Sequence, residues 1–258
     1  MARPARIALF SISGLLLAGM VGSAGFTGLV LLSSHDVAAS TQFDLPGETL
    51  TIESDDGGLH LVPGEPGQVR VDRKTTESIR GADPEWSLSE GTLRLTTNCP
   101  SFFTVDCDGD YTVAVPPTVK AVKVRSGDGS ISVRGLAADI DLHSGDGSMK
   151  IRDVRAGTLK LSTSDGSVSV AGTAATDLTV SSGDGGVGLT LTEPPMHVKA
   201  STGDGSLRLT LPRTEDAYRT SVKVGDGSQT IQIKQDPDSP RTIELNTGDG
   251  SVTATYPR

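Results

Sequence analysis

Aromatic side chains are scarce: five Phe, three Tyr and one Trp in 258 residues. A core built from this chain must be narrow and filled by Val, Ile and Leu, and little material exists for the aromatic platforms common at sugar-cleaving sites. Two Cys and four His are too few for a Cys/His zinc framework. Basic residues are also in deficit: 23 Lys and Arg against 32 Asp and Glu give a formal charge of −9. Nothing in that balance could neutralise a run of phosphates, which excludes nucleic acid as a partner. Apolar residues make up only 35%, but 31 Gly restore the composition of a folding chain.

The first 32 residues contain no acidic side chain. After Arg3 and Arg6, the run from Ile7 to Leu32 is free of ionisable groups; at 1.5 Å per residue it reaches about 39 Å, enough to cross a bilayer core. Residues 1–32 therefore read as a transmembrane signal anchor, with a cleaved signal peptide as the alternative. The two Arg place the N-terminus in the cytoplasm and the remainder outside. Residues 33–48 read as a linker and 49–258 as one exodomain, most regular from 119 to 256. All 32 acidic residues and 21 of the 23 basic ones follow the apolar run, so this part carries −11.

What the chain has in excess is repetition. Ser-Gly-Asp-Gly-Ser occurs at 126–130 and 144–148, Thr-Ser-Asp-Gly-Ser at 163–167, and related turns follow around Asp184, Asp204, Asp226 and Asp249. The Asp spacings are 18, 19, 19, 20, 22 and 23 residues, a period that marks a repeat architecture. Apolar residues alternate on both flanks, as in Val122 and Val124 before the turn and Ile131 and Val133 after it. Each repeat thus reads strand, turn, strand. The sixth copy departs, with Thr220 and Gln229 where its siblings are apolar. Weaker copies lie at 50–61, 86–95 and 106–115, separated by an irregular stretch from Pro63 to Pro84. Glu193-Pro194-Pro195 and the segment from Asp236 to Pro240 read as loops.

A Gly follows every repeat Asp: Gly129, Gly147, Gly166, Gly185, Gly205, Gly227 and Gly250. That constancy suggests a left-handed backbone position in the turn. Two architectures fit. Asp-Gly between alternating strands is a hairpin signal, giving an antiparallel meander. In-register stacking of near-identical units instead gives a β-solenoid, with strands about 4.8 Å apart. Near-identity of successive units favours the solenoid, as does the series Lys123, Asp141, Lys160, which stacking converts into an alternating charge ladder.

Stacking also sets Asp128, Asp146, Asp165, Asp184, Asp204, Asp226 and Asp249 along one edge. These carboxylates serve the turns structurally or, as the weaker alternative, hold Ca²⁺; no Ca²⁺-binding nonapeptide or EF-hand spacing accompanies them. Gly183-Asp184-Gly185-Gly186-Val187-Gly188 matches a dinucleotide fingerprint in letters only, since a strand pattern follows it. His35, His60, His143 and His197 stand in unrelated contexts. Asp106, Asp108 and Asp110 flank Cys107 in an expected loop. Cys99 and Cys107, outside the membrane, are expected to form a disulfide closing a short loop. No catalytic residue and no cofactor is assigned: a structure that looks alike along its length offers no unique constellation, which leaves a polysaccharide-active enzyme as the least favoured reading.

The apolar start, the segment Tyr111-Thr-Val-Ala-Val-Pro-Pro-Thr-Val leading into Val122-Lys-Val, and the Gly-Asp-Gly-Ser repeats resemble the membrane-anchored bacterial "putative adhesin" family of β-strand-repeat domains, over residues 40–256. The resemblance implies an all-β fold, a single-stranded right-handed β-helix at the cell envelope. It also implies a non-enzymatic adhesin or binding scaffold whose partner is an envelope protein or a surface glycan, or an accessory of an envelope-stress system. It supplies no catalytic residues.

Overall fold

The computed structural model describes residues 34–55, 57–78, 83–98 and 109–257. The N-terminal apolar run, Cys99, Cys107, Asp106 and Asp108 lie outside them. No helix among the described residues is long and apolar enough to cross a membrane.

Among the described residues there are twenty strands. The first seven are β1 (Ser34–Asp44), β2 (Thr49–Ser54), β3 (Gly58–Pro63), β4 (Gln68–Ser78), β5 (Asp83–Ser89), β6 (Thr92–Asn98) and β7 (Gly109–Val115). The regular repeats supply β8 (Ala121–Ser126), β9 (Ile131–Arg134), β10 (Asp139–Ser144), β11 (Met149–Arg152), β12 (Arg155–Thr163), β13 (Val168–Ser182) and β14 (Val187–Leu191). The remainder are β15 (His197–Thr202), β16 (Leu207–Thr210), β17 (Arg219–Val224), β18 (Gln229–Ile231), β19 (Thr242–Thr247) and β20 (Val252–Thr255).

The two segments flanking each turn do not pair with each other; each pairs in parallel with its equivalent in the neighbouring coil, β13 being long enough to run through both sheets. Val122, Ile140, Leu159 and Leu178 follow one another in register before the turn, and Ile131, Met149, Val168 and Val187 after it. The strands before the turns form sheet I and those after them sheet II, giving a β-solenoid-like stack and not a meander. Alternate residues point between the sheets and are buried, for example Val122, Val124, Ile131 and Val133 at 1% exposure or less. The core is as narrow as the scarcity of aromatics requires.

Among the described residues, antiparallel pairing is confined to the N-terminal part. β1 pairs with β4, and β4 with β7. The segment 33–48, expected as a linker, therefore holds an edge strand. The stretch from Pro63 to Pro84, expected as irregular, holds β4, whose Val69 and Val71 are fully buried. Residues 86–95, expected as another coil, form the β5–β6 hairpin. Glu90 and Gly91 close it with φ of 51° and 78°, the two left-handed positions of a tight primed turn.

Coils do not stack in chain order at either end. β2 lies between β6 and β8, and β3 between β7 and β9. At the other end β19 lies between β15 and β17, and β20 between β16 and β18. The coil around Asp226 is consequently the last of the stack, with the coil around Asp249 inserted beneath it. This explains the aberrant sixth copy: Thr220 and Gln229 occupy inward register positions, opposite Ile243 and Val252, but have no further coil over them; Thr220 is half-buried and donates to Gln235 Oε1, and Gln229 is exposed. Arg241 ties the two proline loops together, donating from Nη1 to the carbonyls of Pro194 (3.1 Å) and Pro195 (2.8 Å).

The glycine expectation is corrected by the backbone. None of the seven repeat glycines has positive φ; the left-handed residues of the coils are Gly135, Asp153 and Gly172, with φ of 68°, 55° and 64°. They stand at the opposite corner, seven residues after the repeat Asp. The repeat glycines are required by proximity. A Cβ on Gly147 would run into the carbonyl oxygen of Gly129, one on Gly166 into Gly147, and one on Gly185 into Gly166. The column runs Gly109, Gly57, Gly129, Gly147, Gly166, Gly185, Gly205, Gly250, Gly227, each resting on the backbone of its predecessor.

Candidate functional site

The column of glycines brings with it a column of hydroxyls. Two residues before the repeat Asp, in every coil but that of Asp226, stands a buried Ser or Thr; Ser126 donates to the Asp55 carbonyl, and the others to glycine carbonyls of the preceding coil. Ser144 Oγ reaches Gly127 O and Gly129 O at 3.2 and 3.1 Å. Thr163 Oγ1 reaches Gly145 O and Gly147 O at 2.9 and 3.0 Å. Ser182, Thr202 and Thr247 repeat the contact. Val224 takes this place in the last coil, with Cγ1 where its siblings carry oxygen relative to the turn glycine. These hydroxyls escaped sequence reading, although the Ser/Thr at constant offset from the Asp was there to be seen.

All seven repeat Asp residues are exposed on that corner. Their stacking order is 128, 146, 165, 184, 204, 249, 226, following the strand order. Asp128 Oδ1 accepts from the Asp146 amide at 3.4 Å, and Gly145 and Gly203 sit against the carboxylates of Asp128 and Asp184. The carboxylates thus lean across to the next coil. Among the described residues no group of three or more His, Cys, Asp and Glu is arranged to hold a metal ion.

On the flat outer faces, in-register stacking converts sequence into ranks. On sheet I the expected alternation is present: Asp141 stands between Lys123 and Lys160, and Lys199 beside Glu244. His143, as expected, is exposed. His197 Nδ1 shares a 2.9 Å hydrogen bond with Thr242 Oγ1. Asp110 lies in β7, not in a loop, and the fingerprint-like glycines from Gly183 lead into β14.

Sheet II carries a shallow groove of about 440 Å³ across β3, β9 and β11. Ser130, Ser132 and Ser148 line it with hydroxyls, and Lys150, Arg134 and Arg152 supply cations. His60 and Asp110 border it. Arg134 and Arg152 are direct register neighbours, as are Ser132 and Lys150. The sequence reading missed this cluster because Arg134 and Lys150 are far apart until coils stack.

At the N-terminal end, Arg73 is only 4% exposed. Its guanidinium lies 5.8 Å from the Tyr111 ring centroid, and Tyr111 meets Trp86 edge to face at 6.5 Å. At the other end the Tyr218 hydroxyl is buried without a hydrogen-bond partner among the described residues. Burial, with the Asp216 carboxylate as second cause, pushes its pKa from 10.0 up to about 12.

A family model described as Toastrack DUF4097 matches residues 48–257. Among solved structures, a "putative adhesin" from Parabacteroides distasonis is 10% identical, with 84% of this chain and 97% of that one covered and a TM-score of 0.51. A "putative adhesin" from Parabacteroides merdae is 12% identical over 84% and 95%, with a TM-score of 0.49. A "putative lipid binding protein" from P. distasonis is 10% identical over 84% and 96%, at 0.48. At 10% identity the likeness to the first of these is one of fold alone. No curated protein matches the chain.

Proposed function

The chain belongs to the Toastrack DUF4097 family, and from that premise we propose that it is a non-enzymatic binding scaffold of the cell envelope. Residues 1–32 hold the chain in the membrane with the N-terminus inside, and the solenoid, wound right-handed, stands outside. The observation that carries this reading is the pair of flat outer faces, on which side chains of successive coils fall into register at the strand spacing of about 4.8 Å. Such ranks offer many weak, equivalent contacts to an extended partner and no enclosed pocket for a small substrate. The Asp corner adds a line of exposed carboxylates beside them.

The test is attachment of cells that display the full chain, against cells that display residues 1–48 alone. Attachment to an envelope or glycan surface is expected to vanish with the exodomain. Equal attachment by both would refute the reading. Protease treatment of intact cells, which is expected to remove the exodomain from the full chain, checks the orientation.

A further inference from the structure

The groove on sheet II has a charge the rest of the exodomain does not predict. In a segment of net −11, Lys150, Arg134 and Arg152 converge on one shallow surface. Arg134 and Arg152 are placed side by side by the stacking of β9 and β11, and Lys150 projects from the same face of β11 two residues before Arg152. Like charges on directly paired positions oppose sheet formation. The fold does little to relieve them. Arg134 lies 3.9 Å from Asp153, and both side chains are about two-thirds exposed (66% and 65%), so this pair contributes little. Lys150 and Arg152 make no ion pair among the described residues. Nor does the repeat demand these residues: the coils beyond place Ser169 in register with Lys150 and Ala171 with Arg152.

We propose that this groove binds an acidic oligosaccharide, with a uronate carboxylate held by Lys150 and Arg152 and sugar hydroxyls on Ser130, Ser132 and Ser148. The proposal rests on the surface-binding reading above and names the ligand class. Arg presents paired N–H donors that match a carboxylate, and the exposed Arg134–Asp153 contact can open to supply a third cation. The adjoining hydroxyls suit a ligand that is itself rich in hydroxyls. A phosphate-dense polymer is disfavoured by the overall acidity, and an anionic bilayer because the one large apolar side chain lining the groove, Ile131, is buried.

The experiment measures binding of an oligogalacturonate to the purified full chain, with neutral dextran and phosphatidylglycerol vesicles as parallel probes. The comparison protein is K150S/R152T, which installs side chains of the kind found in sibling coils. The wild type is expected to bind the oligogalacturonate but not dextran, more weakly as salt rises. The variant is expected to bind at least tenfold more weakly, with an unfolding midpoint equal to or above that of the wild type. Undiminished binding by the folded variant, or no binding by the wild type, overturns the proposal. Vesicle binding in place of oligogalacturonate binding overturns it in favour of a lipid surface. Exodomain-dependent attachment of cells that persists in K150S/R152T overturns the groove assignment while leaving the scaffold reading in place.

Discussion

Thr202 Oγ1 donates to the carbonyl oxygen of Gly185, 2.8 Å away in the coil before its own. The bond joins the two columns that set the coil spacing, because Gly205 in the same turn rests on that same carbonyl. An isosteric Thr202→Val change leaves the shape and removes the donor. It is expected to cost about 1–3 kcal/mol, the range for leaving a buried polar group unsatisfied, read as a lowered midpoint in urea. Val224→Thr in the last coil is the converse. Its new hydroxyl comes within reach of the Gly250 carbonyl, and a gain of about 0.5–1.5 kcal/mol is expected. A loss in Val224→Thr would show that the column ends before this coil.

Glycine substitutions separate the two roles that glycine plays in this fold. Gly166→Ala forces a methyl against the Gly147 backbone and is expected to destabilise by about 1–3 kcal/mol or more, since backbone must move. Gly188→Ala meets nothing within 4 Å and lies in a strand without positive φ. Stabilisation of about 0.4–1 kcal/mol is expected there, through the unfolded chain. Thermal unfolding of the two variants side by side checks both signs.

Tyr218 gives the fold an alkaline limit. Below pH 10 the phenol is neutral in folded and unfolded chains alike. Above pH 10 the unfolded chain ionises first, because burial holds the folded group at about 12. Stability is therefore lost progressively as pH rises from 10 through 12, by roughly 2–3 kcal/mol for a two-unit shift. Tyr218→Phe is expected to flatten that decline while costing little at pH 7, since the hydroxyl has no partner to lose. A decline of equal size in the Phe variant would place its origin elsewhere.

The polar substitutions on the end coil have a testable purpose. Thr220 and Gln229 face outward from the stack beside the half-buried Val222, Val224 and Ile231. Thr220→Val with Gln229→Val would extend these into an apolar end with free strand edges, a recognised hazard for association. Concentration-dependent self-association by sedimentation is expected for the double variant and not for the wild type.

Much of this fold was legible because its periodicities are local. The alternation around Val122 and Ile131 and the recurrence of Asp-Gly suffice for strands, corners and the expected Lys123–Asp141–Lys160 ladder. The stacking order was not legible: β19 and β20 carry the same pattern as their siblings, and nothing local says that they slip beneath β17 and β18. The role of Gly147 was misplaced because a residue that needs a left-handed φ and one that needs close backbone approach look the same in sequence. The basic groove was hidden for a related reason, since Arg134 and Arg152 become neighbours only when two coils stack.

The inserted coil around Asp249 also governs when the end of the stack can close. β17 and β18 leave the ribosome before β19 and β20, yet their sheet partners are those later strands. The segment 219–231 therefore reaches its final sheet partners only after residues 242–255 have been made. A chain cut short before Thr242 would have no final seat for it. Because β20 lies between β16 and β18, it is interior and offers no free edge on which a further coil could stack.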